Sequence, residues 1–172
     1  MRSNRALERA GQRPAQYEWA LCAVGRSTPG LRQRHMGINA RIETEGGESI
    51  TEVLDPMGYV SWILGSHGLD ATVCLRFIDP YGDTIFNQGQ LHVLLSELES
   101  RRATLTTAGL ESAKEQYLRR ATAWPEAAVN EAQRYISSLS ADEIRGHLEQ
   151  LVSLVRRALD HGAHHYVRFI GD

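Results

Sequence analysis

The stretch Val73-Cys-Leu-Arg-Phe-Ile-Asp-Pro-Tyr-Gly-Asp-Thr-Ile-Phe-Asn87 constrains the fold more than any other part of the chain. Val73, Leu75 and Phe77 alternate with Cys74, Arg76 and Ile78, which is strand periodicity. Asp79-Pro80-Tyr81-Gly82-Asp83 then has the chemistry of a tight reversal. Pro80 presets φ for the second turn position, Asp79 bonds the backbone ahead of it, and Gly82 is free to take positive φ. Thr84-Ile85-Phe86 resumes an extended run, so the stretch predicts a β-hairpin feeding a helix that begins near Asn87.

The segments around this hairpin read with the same rules. Ile38, Ala40 and Ile42 alternate with Asn39, Arg41 and Glu43 as a half-buried strand, and Ser49–Leu54 returns as a second one. Asp55-Pro56 starts a short helix with Asp as its cap. Gln88–Ser100 carries Leu91, Leu94, Leu95 and Leu98 at helical spacing, and residues 108–123 and 125–139 are two further helices. Ser140-Ala-Asp-Glu143 predicts a capping box, with Glu143 reaching back to the cap. Ile144, Leu148, Leu151, Val155 and Leu159 form the apolar stripe of the helix it opens, which Gly162 closes. Val167 and Phe169 then alternate with Tyr166 and Arg168 in a terminal strand.

Strands, then helices, then a closing strand predict an α+β fold. The expected architecture is an antiparallel sheet of about five strands, two hairpins plus the C-terminal strand, covered by four to five helices. Arg76-Phe77-Ile78 recurs as Arg168-Phe169-Ile170, as two neighbouring strands presenting similar faces would. With 172 residues, 42% apolar and 23% charged, the chain suits one domain with a real core. No apolar run reaches the roughly 18–20 residues of a membrane span.

Charge is distributed unevenly. Residues 1–35 hold seven arginines against Glu8 and Glu18, while the remainder carries a net charge of −7. Gly11, Pro14, Gly25, Pro29 and Gly30 interrupt every candidate element in that first segment. It reads as a basic extension: a flexible tail, an arm for an anionic partner, or residues upstream of a native start at Met36. Residues 36–172 read as a single α+β domain. Its acidic balance argues against nucleic acid as the main partner, since phosphate binding needs a basic surface. Eighteen arginines against the single Lys114 suggest a bacterial genome rich in G and C.

Met36–Glu99, above all Leu75–Asn87, together with Val167-Arg-Phe-Ile-Gly-Asp172, resembles small bacterial proteins of uncharacterised activity. The helices between Arg101 and Ser138 look like an elaboration of that pattern. The resemblance supports a start at Met36 and implies no activity, cofactor or catalytic residue.

Candidate chemistry is sparse. Asp55, Asp79 and Asp83 are oxygen donors, yet their spacing departs from the calcium-loop pattern, and each has a structural task as a cap or a turn residue. His147, His161, His164 and His165 cluster near the end, but His164 and His165 fall on opposite faces of the expected strand, so no native metal site is expected. Cys22 and Cys74 are too few for a disulfide framework, and Cys74 lies mid-strand as a small buried thiol. Gly65-Ser66-His67-Gly68 is only half of a nucleophile elbow. What is left is a surface. Arg41, Arg76 and Arg168 on one sheet face, with Asp79 and Asp83 beside them, form the candidate binding residues, because arginine recognises carboxylates through paired bonds and is enriched in interfaces. Each arginine has an internal alternative in Glu43, Glu52 or Asp79. The functional expectation is a non-enzymatic bacterial protein-binding or accessory protein, immunity-type among its forms, cytoplasmic and without a cofactor. The alternative is a metal-dependent hydrolase using Asp79, Asp83 and nearby histidines.

Overall fold

A computed structural model describes residues 37–65 and 72–171. The basic first segment, Cys22 and His67 lie outside these residues. Four strands, β1 (Asn39–Thr44), β2 (Ser49–Val53), β3 (Asp83–Phe86) and β4 (His165–Ile170), form an antiparallel sheet in the order β2-β1-β4-β3. The last strand therefore inserts between the first and the third. Among the described residues five α-helices accompany them: α1 (Tyr59–Gly65), α2 (Gln88–Thr104), α3 (Thr107–Ala121), α4 (Glu126–Ser138) and α5 (Ala141–His161).

The expected α+β class holds, with four strands among the described residues where about five were expected. The discrepancy lies in the stretch that looked most certain. Leu75–Phe77 is a single 3-10 turn. Cys74, Leu75 and Ile78 are buried, while Val73 and Phe77 are 57% and 59% exposed, which is helical spacing and not alternation. The cause is Glu97 on α2. Its carboxylate accepts the amide of Val73, the amide of Cys74 at 3.0 Å and that of Leu75 at 2.9 Å. Three successive N–H groups turned toward one anion cannot also join a ladder. The backbone closes on itself instead, Phe77 N to Cys74 O at 3.0 Å and Ile78 N to Leu75 O at 3.2 Å.

The reversal that follows keeps its expected Asx geometry, Tyr81 N donating to Asp79 Oδ1 at 2.9 Å. Gly82, however, has no positive φ. Thr84 replaces the missing ladder by using one hydroxyl twice: Oγ1 accepts from Asp79 N and donates to Phe77 O, both at 3.0 Å.

Helices α2 and α5 pack on each other and cover one face of the sheet. Ala40, Ile42, Phe86, Val167 and Phe169 point into that layer and meet Leu91, Leu94, Leu98, Leu148, Leu151 and Val155. Burying this many aliphatic side chains, at about 1.5–3 kcal/mol each, is the main driving force for the fold. Both long helices start at side-chain caps. Asn87 and Gln90 form a reciprocal capping box at α2, while Ser140 Oγ accepts Glu143 N at 3.1 Å at α5. The expected box is thus only half formed: Ser140 caps the helix, while the Glu143 carboxylate lies near Tyr59, whose pKa is raised by burial and then by that charge. Helices α3 and α4 pair with each other. Trp62 Nε1 donates to the Tyr135 hydroxyl at 2.9 Å, and that hydroxyl donates to Met57 O at 2.8 Å, tying α4 to α1.

Asp55 caps α1 with its side chain, but the helix begins at Tyr59 and not at Pro56, a turn of chain lying between cap and helix. Its buried carboxylate accepts Tyr59 N at 2.6 Å, Val60 N at 3.0 Å and, from the first strand's approach, Ile38 N at 3.2 Å.

Candidate binding face

The sheet face opposite α2 and α5 carries the residues that point away from the core. Register places Glu52, Arg41, Arg168 and Ile85 side by side across all four strands. The next row along holds Asn39, Ile170 and Asp83, and on the other side Glu43 lies opposite Tyr166. Arg41 and Arg168 are thus direct cross-strand neighbours, a like-charge contact that costs stability unless something neutralises it.

Glu43 does so. Its Oε1 pairs with Arg41 Nη2 and its Oε2 with Arg168 Nη1 at 3.3 Å. Arg168 also donates to Asp83 Oδ2, from Nε at 3.0 Å and from Nη2. Asp83 first and Glu43 second hold the Arg168 guanidinium more firmly protonated than usual. Tyr166 lies opposite Glu43 in the register, and its phenol is pushed up by desolvation and then by that carboxylate. Glu43 is 1% exposed although it belongs to the outer face; a bulge between Ile42 and Glu43 shifts the β1–β2 register at this point. A buried carboxylate needs such cationic partners, although Glu43 Oε1 and Arg41 Nε are buried without a hydrogen-bond partner among the described residues.

The network is flanked by apolar groups that remain in water. Ile85 beside Arg168 is 50% exposed, and Ile50 on the opposite edge strand is 39% exposed. Tyr81 and Phe77 are exposed near the β3 edge. The arrangement can do one thing well: present a rigid, internally neutralised polar centre with apolar margins.

Of the five residues expected here, the structure brings together Arg41, Arg168 and Asp83. Arg76 is not on the sheet; it sits on the 3-10 turn, its guanidinium 4.8 Å from the Phe77 ring centroid. The Arg-Phe-Ile echo therefore marks no neighbouring strand, and Phe77 is exposed where Phe169 is fully buried. Asp79 is occupied by its own turn. Tyr166, Ile50 and Ile85 were missed; strand alternation alone puts Tyr166 and Ile85 on the same face as Arg168 once β4 is known to lie between β1 and β3.

Cys74 is buried beside the Gln90 carbonyl, and burial, then Glu97, raises its thiol pKa, which keeps it unreactive. Among the described residues no group of three or more His, Cys, Asp and Glu side chains is placed to hold a metal ion, and no helix is long and apolar enough to cross a membrane. Comparison with protein-family models, curated proteins and solved structures finds no match.

Proposed function

We propose that this chain is a non-catalytic protein-binding module, accessory or immunity-type, that engages its partner through the open face of its sheet. One observation carries the reading: the ion-pair network of Arg41, Glu43, Arg168 and Asp83 lies on the sheet face that no helix of the described residues covers, with Ile50 and Ile85 exposed at its margins. Desolvating an unpaired charge at an interface is expensive, whereas charges already paired and hydrogen-bonded lose far less water on docking. Arginine beside aromatic and aliphatic groups is also the composition of an interface core.

The arginine-rich composition points to a bacterial source, so the product of an adjacent gene is the first partner to test. Binding of the full chain to that protein is measured by calorimetry, with Ile85→Asp and Ile50→Asp on the face and Val93→Asp on α2 as a control of similar exposure. The face variants should weaken binding at least about tenfold, as loss of an interface anchor does, with unchanged melting temperature. Loss on Val93→Asp with the face variants binding normally places the interaction on the helices and overturns the reading.

A further inference from the structure

The 3-10 turn that stands where a strand was expected leaves one of its sides in water. Cys74, Leu75 and Ile78 face the core, so Val73, Arg76 and Phe77 are left on the outward side. Val73 is 57% and Phe77 59% exposed, and Tyr81 just beyond them is exposed too. The Arg76 guanidinium lies over the Phe77 ring, a pairing of cation and aromatic that suits an interface anchor. The segment is held at both ends. Glu97 accepts its leading amides, and the Thr84 hydroxyl bridges Phe77 O and Asp79 N. An exposed aromatic on a backbone already fixed in this way loses little freedom on docking.

We propose that this outward side is the interface of a twofold dimer, in which Phe77 packs on Phe77 of a second copy and Arg76 pairs with its Asp79. Charge decides the occupant. Arg76 and Asp79 are both exposed, and neither has an ion-pair partner among the described residues. Asp79 uses Oδ1 to accept the Tyr81 amide, which leaves Oδ2 for a cation. The two opposite charges bracket Phe77 along the chain. When a second copy approaches antiparallel, each arginine meets the other's aspartate and the rings meet at the axis, as an isologous contact requires. A surface of one charge sign would attract one of these residues and repel the other. Few side chains take part, against the roughly 20–30 a side of a standard interface. The dimer is therefore weak, with dissociation on the order of 100 µM. It forms at the β3 edge, whereas Ile50 lies on β2 at the opposite edge, so it does not rest on the function proposed above.

Sedimentation of the full chain from about 10 µM to about 1 mM tests the assignment. The chain should pass from monomer toward dimer across that range, and less readily as salt is added. Phe77→Ala and Arg76→Glu should each weaken dimerisation by about tenfold or more, while Ile50→Asp leaves it unchanged. Asp79→Asn keeps the Oδ1 acceptor of the turn and should weaken it as well. Mixing gives the sharper result. Arg76→Glu and Asp79→Arg should each be monomeric alone and dimerise when combined one to one, because both cross-contacts then join opposite charges. Circular dichroism checks folding; should Asp79→Arg not fold, Phe77→Ala, Arg76→Glu and Asp79→Asn decide. A chain that stays monomeric to the top of the range, a dimer that Phe77→Ala and Arg76→Glu leave intact, or folded variants that do not recover dimerisation on mixing would overturn the assignment.

Discussion

Arg41 and Arg168 face each other across the β1–β4 pair, and each holds a different oxygen of the same carboxylate, Glu43. Two guanidiniums in direct register are stable because the acid between them is nearly free of solvent and ion-pairs with both. Glu43→Gln keeps the shape but removes the charge and leaves the arginines opposed. It should destabilise the fold by about 1–3 kcal/mol, below the range for a fully buried pair because both arginines keep some water. In urea denaturation, the Arg41→Gln/Glu43→Gln double variant should cost less than the sum of its singles by at least about 0.5 kcal/mol. Additive costs would mean that the two side chains are energetically independent.

Glu97 is the second organising carboxylate. Removing it in Glu97→Ala leaves the amides of Val73, Cys74 and Leu75 without their acceptor, a loss of about 1–3 kcal/mol. Glu97→Gln should recover part of that loss, because its carbonyl still accepts. Cys74 supplies a local readout. Peptide-resolved alkylation of its thiol should accelerate in Glu97→Ala before global unfolding begins, and an unchanged rate would show that the turn holds without its cap.

Two glycines near the Asp79 reversal should respond in opposite ways. A Cβ on Gly171 would lie 2.3 Å from Pro80 O and 2.8 Å from Asp79 O, both backbone atoms. A Cβ on Gly82 would meet only the Asp79 carboxylate, at 3.1 Å, and that side chain can swing away. Gly171→Ala should therefore cost about 1–3 kcal/mol and Gly82→Ala no more than about 0.5 kcal/mol. Equal melting temperatures for the two would contradict the close approach of the terminal strand's exit to the turn.

His147 on α5 is buried against the Tyr59 ring, 5.4 Å between centroids, and its Nε2 has no hydrogen-bond partner among the described residues. The charged or titratable groups facing it are Asp55 and Tyr59 at the start of α1 and Glu143 one turn earlier on α5. Burial lowers its pKa from 6.5, and Asp55 opposes the shift only in part. The unfolded chain then binds the proton more readily than the folded one. This group's contribution is full above pH 6.5 and is lost as pH falls from there toward the lowered folded value, with a slope of at most about 1.4 kcal/mol per pH unit. His147→Phe keeps a ring against Tyr59 and should flatten that part of the stability–pH curve while changing little at pH 8. A slope unchanged by the substitution assigns it to other groups.

What sequence by itself determined is whatever depends on neighbours a few positions away. The cap at Ser140, the stripe from Ile144 to Leu159 and the stop at Gly162 are one local pattern, and α5 is its realisation. The alternation in β1, β2 and β4 was legible in the same way, as were the cap at Asp55 and the Asx turn at Asp79. Alternation also drew a strand through Val73–Ile78, and there the tertiary structure decided otherwise. Glu97, more than twenty residues away along the chain, offers those amides a charged acceptor that no short window of sequence reveals. The binding face was half legible for the same reason. Arg41, Arg168 and Asp83 each read as surface residues of a strand or turn, but only insertion of the last strand between β1 and β3 makes them neighbours. Local periodicity sets which way a side chain points, whereas the order in which strands pair sets what it meets. That order is chosen by the packing of the whole core.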